Sequence, residues 1–257
     1  MIQTIKQKII LIFILLFLAV GAFFMVNVEL PSWSYLLSSI NVLLFALPVF
    51  WITKRWLGWR DALILFLALG IFALLIETNA IITGFPYGHF GYSELLGYKL
   101  FGYAPWTVAF AWTPLLLSAY SISANLFKNI ALRITSTALI LIWFDLTLDA
   151  GAVLLGFWKY KDGGFFYGVP FLNFVGWAFS GVLGTILLEV LLKIFKPLLP
   201  IPAQLINSSF FIIFFWTAIA VFGGLYIPAA IGIVAIIGLF FFYQKFSYRF
   251  EEMIVLV

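Results

Sequence analysis

Cysteine is missing from this 257-residue chain, and histidine occurs once, at His89. Without cysteine there are no disulfides, no thiolate metal sites and no cysteine nucleophile. A single histidine excludes histidine-rich metal centres such as di-iron clusters. Charge is scarce as well: Asp, Glu, Lys and Arg make up 9% of the residues. The formal net charge of +4 comes from lysines and arginines between apolar runs, and no basic stripe marks a nucleic-acid face. What is abundant is apolar. Hydrophobic residues make up 65% and the mean hydropathy is +1.17. A soluble domain of this size cannot hide so much apolar surface. The runs are continuous rather than alternating, which excludes a β-barrel. They predict an all-α polytopic transmembrane helical bundle, with residues 1–257 as a single integral membrane domain. Aromatics reach 20%, more than an interfacial belt needs, and predict a cavity lined with rings.

Eight spans are expected. The first runs from Ile9 to Val28. It resembles a signal peptide, but it is long and no small-x-small cleavage site follows, so it is read as a helix. Further spans are expected at about Trp33–Thr53, Asp61–Ile82, Pro105–Leu126, Leu132–Gly156, Phe171–Phe195, Asn207–Gly223 and Ile227–Tyr243. Gly223, Gly224 and Pro228 suit a tight turn between the last two. With both termini cytoplasmic, eleven lysines and arginines fall on one side. Only Lys99, Lys159 and Lys161 fall on the other. That asymmetry favours eight spans over seven and puts two aromatic loops, 83–105 and 157–170, on the extracytoplasmic side. The expected localisation is an integral cell-membrane protein in a lipid bilayer.

Four acidic residues fall inside spans: Glu77, Asp145, Asp149 and Glu189. A carboxylate there is costly, by roughly 2.5–3.5 kcal/mol on insertion scales. Glu189 is expected to pair with Lys193 one turn later, a structural role. Asp145 and Asp149 share one helical face. Glu77 and Asp149 lie at similar depths, about 8 and 10 Å below the outer ends of their spans at 1.5 Å per residue. Asn79 and Asn173 lie near the same level. The structural alternative is that the carboxyls only bind neighbouring helices through hydrogen bonds. No lysine or arginine lies in a span close to Glu77, Asp145 or Asp149, however. A carboxyl without a cationic partner in a dry place favours its neutral form, and a neutral acid beside a carboxylate is an acid–base pair. His89, in FPYGHFGY, is as compatible with a structural role as with a catalytic one. Trp112, Trp143, Trp158 and Trp177 singly fit a belt or core, and together could stabilise a cation through their ring faces.

The stretches ETNAIITGFPYGHFGY, LLGYKLFGYAPWTVAFAW and DLTLDAGAVLLGFWKYKDGGFFYGVPFLNFVGW resemble the CruF-type carotenoid hydratases, membrane proteins of carotenoid biosynthesis. Tyr167, Gly168, Pro170, Asn173, Gly176 and Trp177 carry its most specific part, and the resemblance covers about Glu77 to Trp177. One departure is Ala150, where proline is expected. The resemblance implies addition of water to the terminal isoprenoid double bond of an acyclic carotenoid such as lycopene or a C50 bacterioruberin precursor. This is a hydro-lyase reaction without cofactor or metal. On this reading Asp149 or Asp145 donates the proton and Glu77 orients water or acts as base. Asn173 adds a polar contact, and Tyr167, Trp158 and Trp177 shield the cation. Asn79 and His89 are further candidates for binding substrate or water.

Two other readings stay open. D-x-x-x-D at Asp145–Asp149 could hold Mg²⁺ on a diphosphate, as in a membrane prenyltransferase. That chemistry needs further acidic and cationic groups that are not evident. A non-enzymatic carrier or transporter would use the carboxyls for binding or proton relay. No inverted repeat supports transport.

Overall fold

A computed structural model describes residues 5–29, 31, 33 and 35–254. Seven α-helices follow in order: α1 (Ile5–Asn27), α2 (Tyr35–Thr83), α3 (Val108–Leu126), α4 (Ile130–Leu154), α5 (Phe171–Phe195), α6 (Asn207–Phe222) and α7 (Tyr226–Ile254). The fold is an all-α polytopic transmembrane helical bundle, as the continuous apolar runs require. Among the described residues six helices are long and apolar enough to cross a membrane. The expected eight spans map onto these elements with two differences.

The first concerns α2, which contains both the second and third expected spans. A straight helix of 49 residues would be about 74 Å long, more than twice the hydrocarbon core. It does not run straight. Gly58 has φ 81° and ψ 171°, a conformation open to glycine, and breaks the helix there. The Phe50 and Phe66 rings on either side lie 5.0 Å apart, whereas a straight helix would separate them by about 24 Å. The two arms therefore fold back on each other. The second difference is α3, which is not among the six apolar helices. It is enclosed by protein, with Thr113, Ser118, Tyr120, Ser121 and Ser123 all buried. A helix that meets protein rather than lipid has no need of a uniformly apolar surface. Its hydroxyls bond backbone carbonyls instead, Ser118 to Leu205 at 2.8 Å and Ser121 to Pro202 at 2.7 Å.

Helix ends follow local chemistry. The Asn129 side chain caps α4 by accepting from Ala131 and Leu132 N–H. Gly223 and Gly224 make the expected turn between α6 and α7.

The two aromatic loops, far apart in sequence, meet at one end of the bundle. Strand β1 (Phe90–Tyr92) pairs antiparallel with β2 (Trp158–Tyr160), with Phe90 opposite Tyr160 and Tyr92 opposite Trp158. Bonds from Lys161 N–H to His89 C=O and from Ser93 N–H to Phe157 C=O, both 2.9 Å, extend the ribbon. Because strand side chains alternate, Phe90, Tyr92, Trp158 and Tyr160 share one face. The ring pairs Phe90–Tyr92, Phe90–Tyr160 and Tyr92–Trp158 lie 5.4–5.7 Å apart.

Gly176 lets the first loop sit on α5. A Cβ there would strike the Tyr87 ring and come within 2.7 Å of Pro86 O. Overpacking of this kind costs about 1–3 kcal/mol. Gly176→Ala is therefore expected to lower the apparent Tm of the purified protein by several degrees, at roughly 2–4 °C per kcal/mol. A melting curve identical to that of the parent chain would show that the loop can shift without cost.

Candidate active site

The aromatic face of the ribbon covers the intramembrane carboxyls. Glu77 lies within the last two turns of α2, and Asp149 within the last two turns of α4. Tyr92 Oη donates to Glu77 Oε2 at 3.0 Å, and Tyr160 Oη donates to Asp149 Oδ2 at 2.8 Å. Each strand thus holds one carboxyl. Both phenols lie in the loops outside the spans and are pushed well above the usual tyrosine range. Burial is the main cause for each, reinforced by the negative charge of Glu77 at Tyr92 and of Asp149 at Tyr160. They remain neutral donors across the physiological pH range.

Asn173 completes the cluster. It stands in the first turn of α5, and its Nδ2 donates to Asp145 Oδ2 at 2.8 Å and to Asp149 Oδ2 at 2.5 Å. One amide nitrogen therefore joins the two aspartates that the i,i+4 spacing places on one face of α4. Asp145, Asp149 and Asn173 are at most 2% exposed and Glu77 is 6% exposed. Asp145 Oδ1 has no protein partner. Among the described residues the ion pairs are Lys99–Glu94 and Arg133–Glu189, and neither reaches this cluster. Nor do the described residues include three or more His, Cys, Asp or Glu grouped as metal ligands.

A cavity of about 70 Å³ opens beside Glu77, walled by Tyr92, Trp112, Trp158, Trp177 and Leu148. Among the described residues Glu77 is its only carboxyl, and the aspartate pair is not part of its wall. A second cavity, of about 100 Å³, shares Val42, Leu96, Ala111, Leu148 and Trp158 with the first. The two adjoin along these residues. The second extends toward Met25 of α1, Phe45 of α2 and the Ile212, Phe215 and Trp216 side of α6. Its surface is mostly apolar, with Ser38 and Asn41 as polar lining. Helix α1, beside its outer end, buries only Leu18 and Ala22 among the described residues.

The sequence-predicted residues separate into two groups. Glu77, Asp145, Asp149, Asn173, Trp158 and Trp177 come together. Asn79, His89 and Tyr167 do not join them. Asn79 is exposed and its Nδ2 donates to Phe85 O at 2.8 Å, which shapes the loop after α2. His89 is exposed and packs beside Gly84. Tyr167 packs with Phe166 around Ala150, Ala220, Leu225 and Ala229, away from the carboxyls. Glu189 is not paired with Lys193 as its spacing predicts. Arg133 Nε reaches it at 2.7 Å and Tyr120 Oη at 2.8 Å, because α4 and α3 pack against that face of α5. Sequence reasoning missed Tyr92 and Tyr160. The available signal was the alternation in FGY and WKY, which places both rings on one side once the segments pair.

Comparison with known proteins fits this arrangement. The family described as carotenoid biosynthesis protein matches residues 33–239. Bisanhydrobacterioruberin hydratase of Haloarcula japonica is 38% identical over 134 residues, which is 51% of this chain and 45% of that protein. The match thus spans less than half the length of that relative. No solved structure matches the chain.

Proposed function

The chain belongs to the carotenoid biosynthesis protein family, and we propose that it is a carotenoid hydratase acting on an acyclic polyene. Its reaction adds water across the terminal isoprenoid double bond and gives a tertiary alcohol. The observation that carries this reading is Glu77, a carboxyl set in the wall of a cavity that is otherwise mostly aromatic and apolar. The relative's hydratase name supports the same chemistry.

The geometry supports a division of roles. Glu77 protonates the less substituted alkene carbon, and the π pair becomes the new C–H bond. The neighbouring carbon becomes a tertiary cation, and Glu77 becomes a carboxylate. Trp112, Trp158 and Trp177, whose side chains line the same cavity, stabilise the cation. Water attacks the cation and returns a proton to Glu77, so the enzyme ends as it began. The step moves no electrons to or from a cofactor. Tyr92, as a neutral donor, steadies the carboxylate between the two proton transfers. Asp145 and Asp149 form the polar floor behind Glu77, with Asn173 and Tyr160 holding them. The polyene enters from the lipid along the two cavities beside α1 and α6. The loops that form the ribbon lie on the extracytoplasmic side, the side with few positive charges.

Expression in cells that accumulate lycopene, and in cells that accumulate a C50 acyclic carotenoid, tests the reading. Pigment heavier by one or two waters is expected in at least one of them. Unchanged pigment in both, with the protein folded in the membrane, would overturn it.

A further inference from the structure

At the other end of the bundle lies a larger cavity, of about 630 Å³, between the end of α3, the start of α4 and the end of α5. We infer that it binds the phosphate headgroup of an anionic membrane lipid. Three cations line it, Lys128, Arg133 and Lys193, against one carboxyl, Glu189. That carboxyl is already engaged, since Arg133 Nε and Tyr120 Oη both meet its Oε1. Arg133 is further anchored by its Nη1 bond to Lys128 O at 3.3 Å. Lys128 and Lys193 are exposed, and neither is in an ion pair with an acid among the described residues. The cavity therefore carries an excess of positive charge. The first N–H groups of α4 are taken up by Asn129, so the lysines make the attraction rather than the helix end.

The rest of the wall distinguishes a lipid from a free anion. Leu126, Phe127, Leu192 and Leu199 offer apolar surface beside the cations, suited to glycerol and the first acyl carbons. The site lies at the bundle end that carries most of the chain's positive charge, where anionic headgroups gather against basic pockets between helices. It shares no residue with the Glu77 cavity, so it stands whether or not the hydratase reading holds.

The test uses the full chain in nanodiscs of phosphatidylcholine alone and of phosphatidylcholine mixed with phosphatidylglycerol. Bound lipid is read by native mass spectrometry and stability by thermal melting. The parent chain is expected to retain phosphatidylglycerol preferentially and to melt higher with it. Lys128→Gln/Lys193→Gln should melt normally in phosphatidylcholine and lose the preference, by about fivefold per lysine removed. Each single substitution should give the intermediate loss. Equal retention by the parent and the double variant would overturn the site. Stabilisation of the parent chain by inorganic phosphate, to the same extent as by phosphatidylglycerol, would overturn the lipid assignment.

Discussion

On the proposed reading, Glu77→Gln is expected to lower hydration by about 10²–10⁴-fold, the range for loss of a positioned proton donor, while the protein keeps its fold. Glutamine has the shape of glutamate and a side-chain oxygen that can still accept from Tyr92, so the ribbon keeps its seat. It has no proton to give an alkene. The readout is product per folded protein in carotenoid-accumulating cells, with folding followed by melting temperature. Hydration at the parent rate in a well-folded Glu77→Gln protein would remove Glu77 from the chemistry. The proton would then have to come from Asp149, the donor that the sequence favoured along with Asp145. We favour Glu77 because, among the described residues, it is the only carboxyl in the cavity wall.

Asn173→Leu is expected to affect both stability and activity. Asn173 Nδ2 holds Asp145 and Asp149 together, and Asp145 Oδ1 already lacks a partner. Asp149 keeps Tyr160. An orphaned buried acceptor costs about 1–3 kcal/mol, more if it is charged. The apparent Tm should then fall by roughly 2–12 °C, at about 2–4 °C per kcal/mol for a chain of this size. Hydration should fall with it, because the floor behind Glu77 loses its order. A second substitution separates the two effects. Replacing both partners of a buried hydrogen bond by apolar groups is close to neutral, so Asn173→Leu/Asp145→Leu should regain most of the stability and none of the activity. A double variant no more stable than Asn173→Leu would show that the loss came from packing and not from the stranded carboxyl.

Local signals carried much of this protein. The length of each apolar run exposed the membrane class, and α5 occupies the 171–195 stretch expected of it. The i,i+4 spacing of Asp145 and Asp149 placed both on one face, since helical periodicity depends only on near neighbours. Depth along the helix put Glu77 level with Asp149, and the two sit beneath the same ribbon. The count of spans was less direct. The spans expected at about Trp33–Thr53 and Asp61–Ile82 fall on the two arms of α2 on either side of Gly58, whereas composition does not record that α3 faces protein instead of lipid.

Contacts between distant segments lay beyond those signals. The pairing of Phe90–Tyr92 with Trp158–Tyr160 joins loops separated by two helices, and short strands of this kind have no pattern long enough to announce a partner. Only that pairing brings Tyr92 to Glu77 and Tyr160 to Asp149. Likewise, the choice of Arg133 over Lys193 for Glu189 depends on which helix packs against α5, not on spacing along it. The residue types and their depth in the bilayer were written in the chain. Which carboxyl faces the cavity, and which groups hold it there, came from tertiary packing, because long-range complementarity is a property of the assembled surfaces and of no single segment.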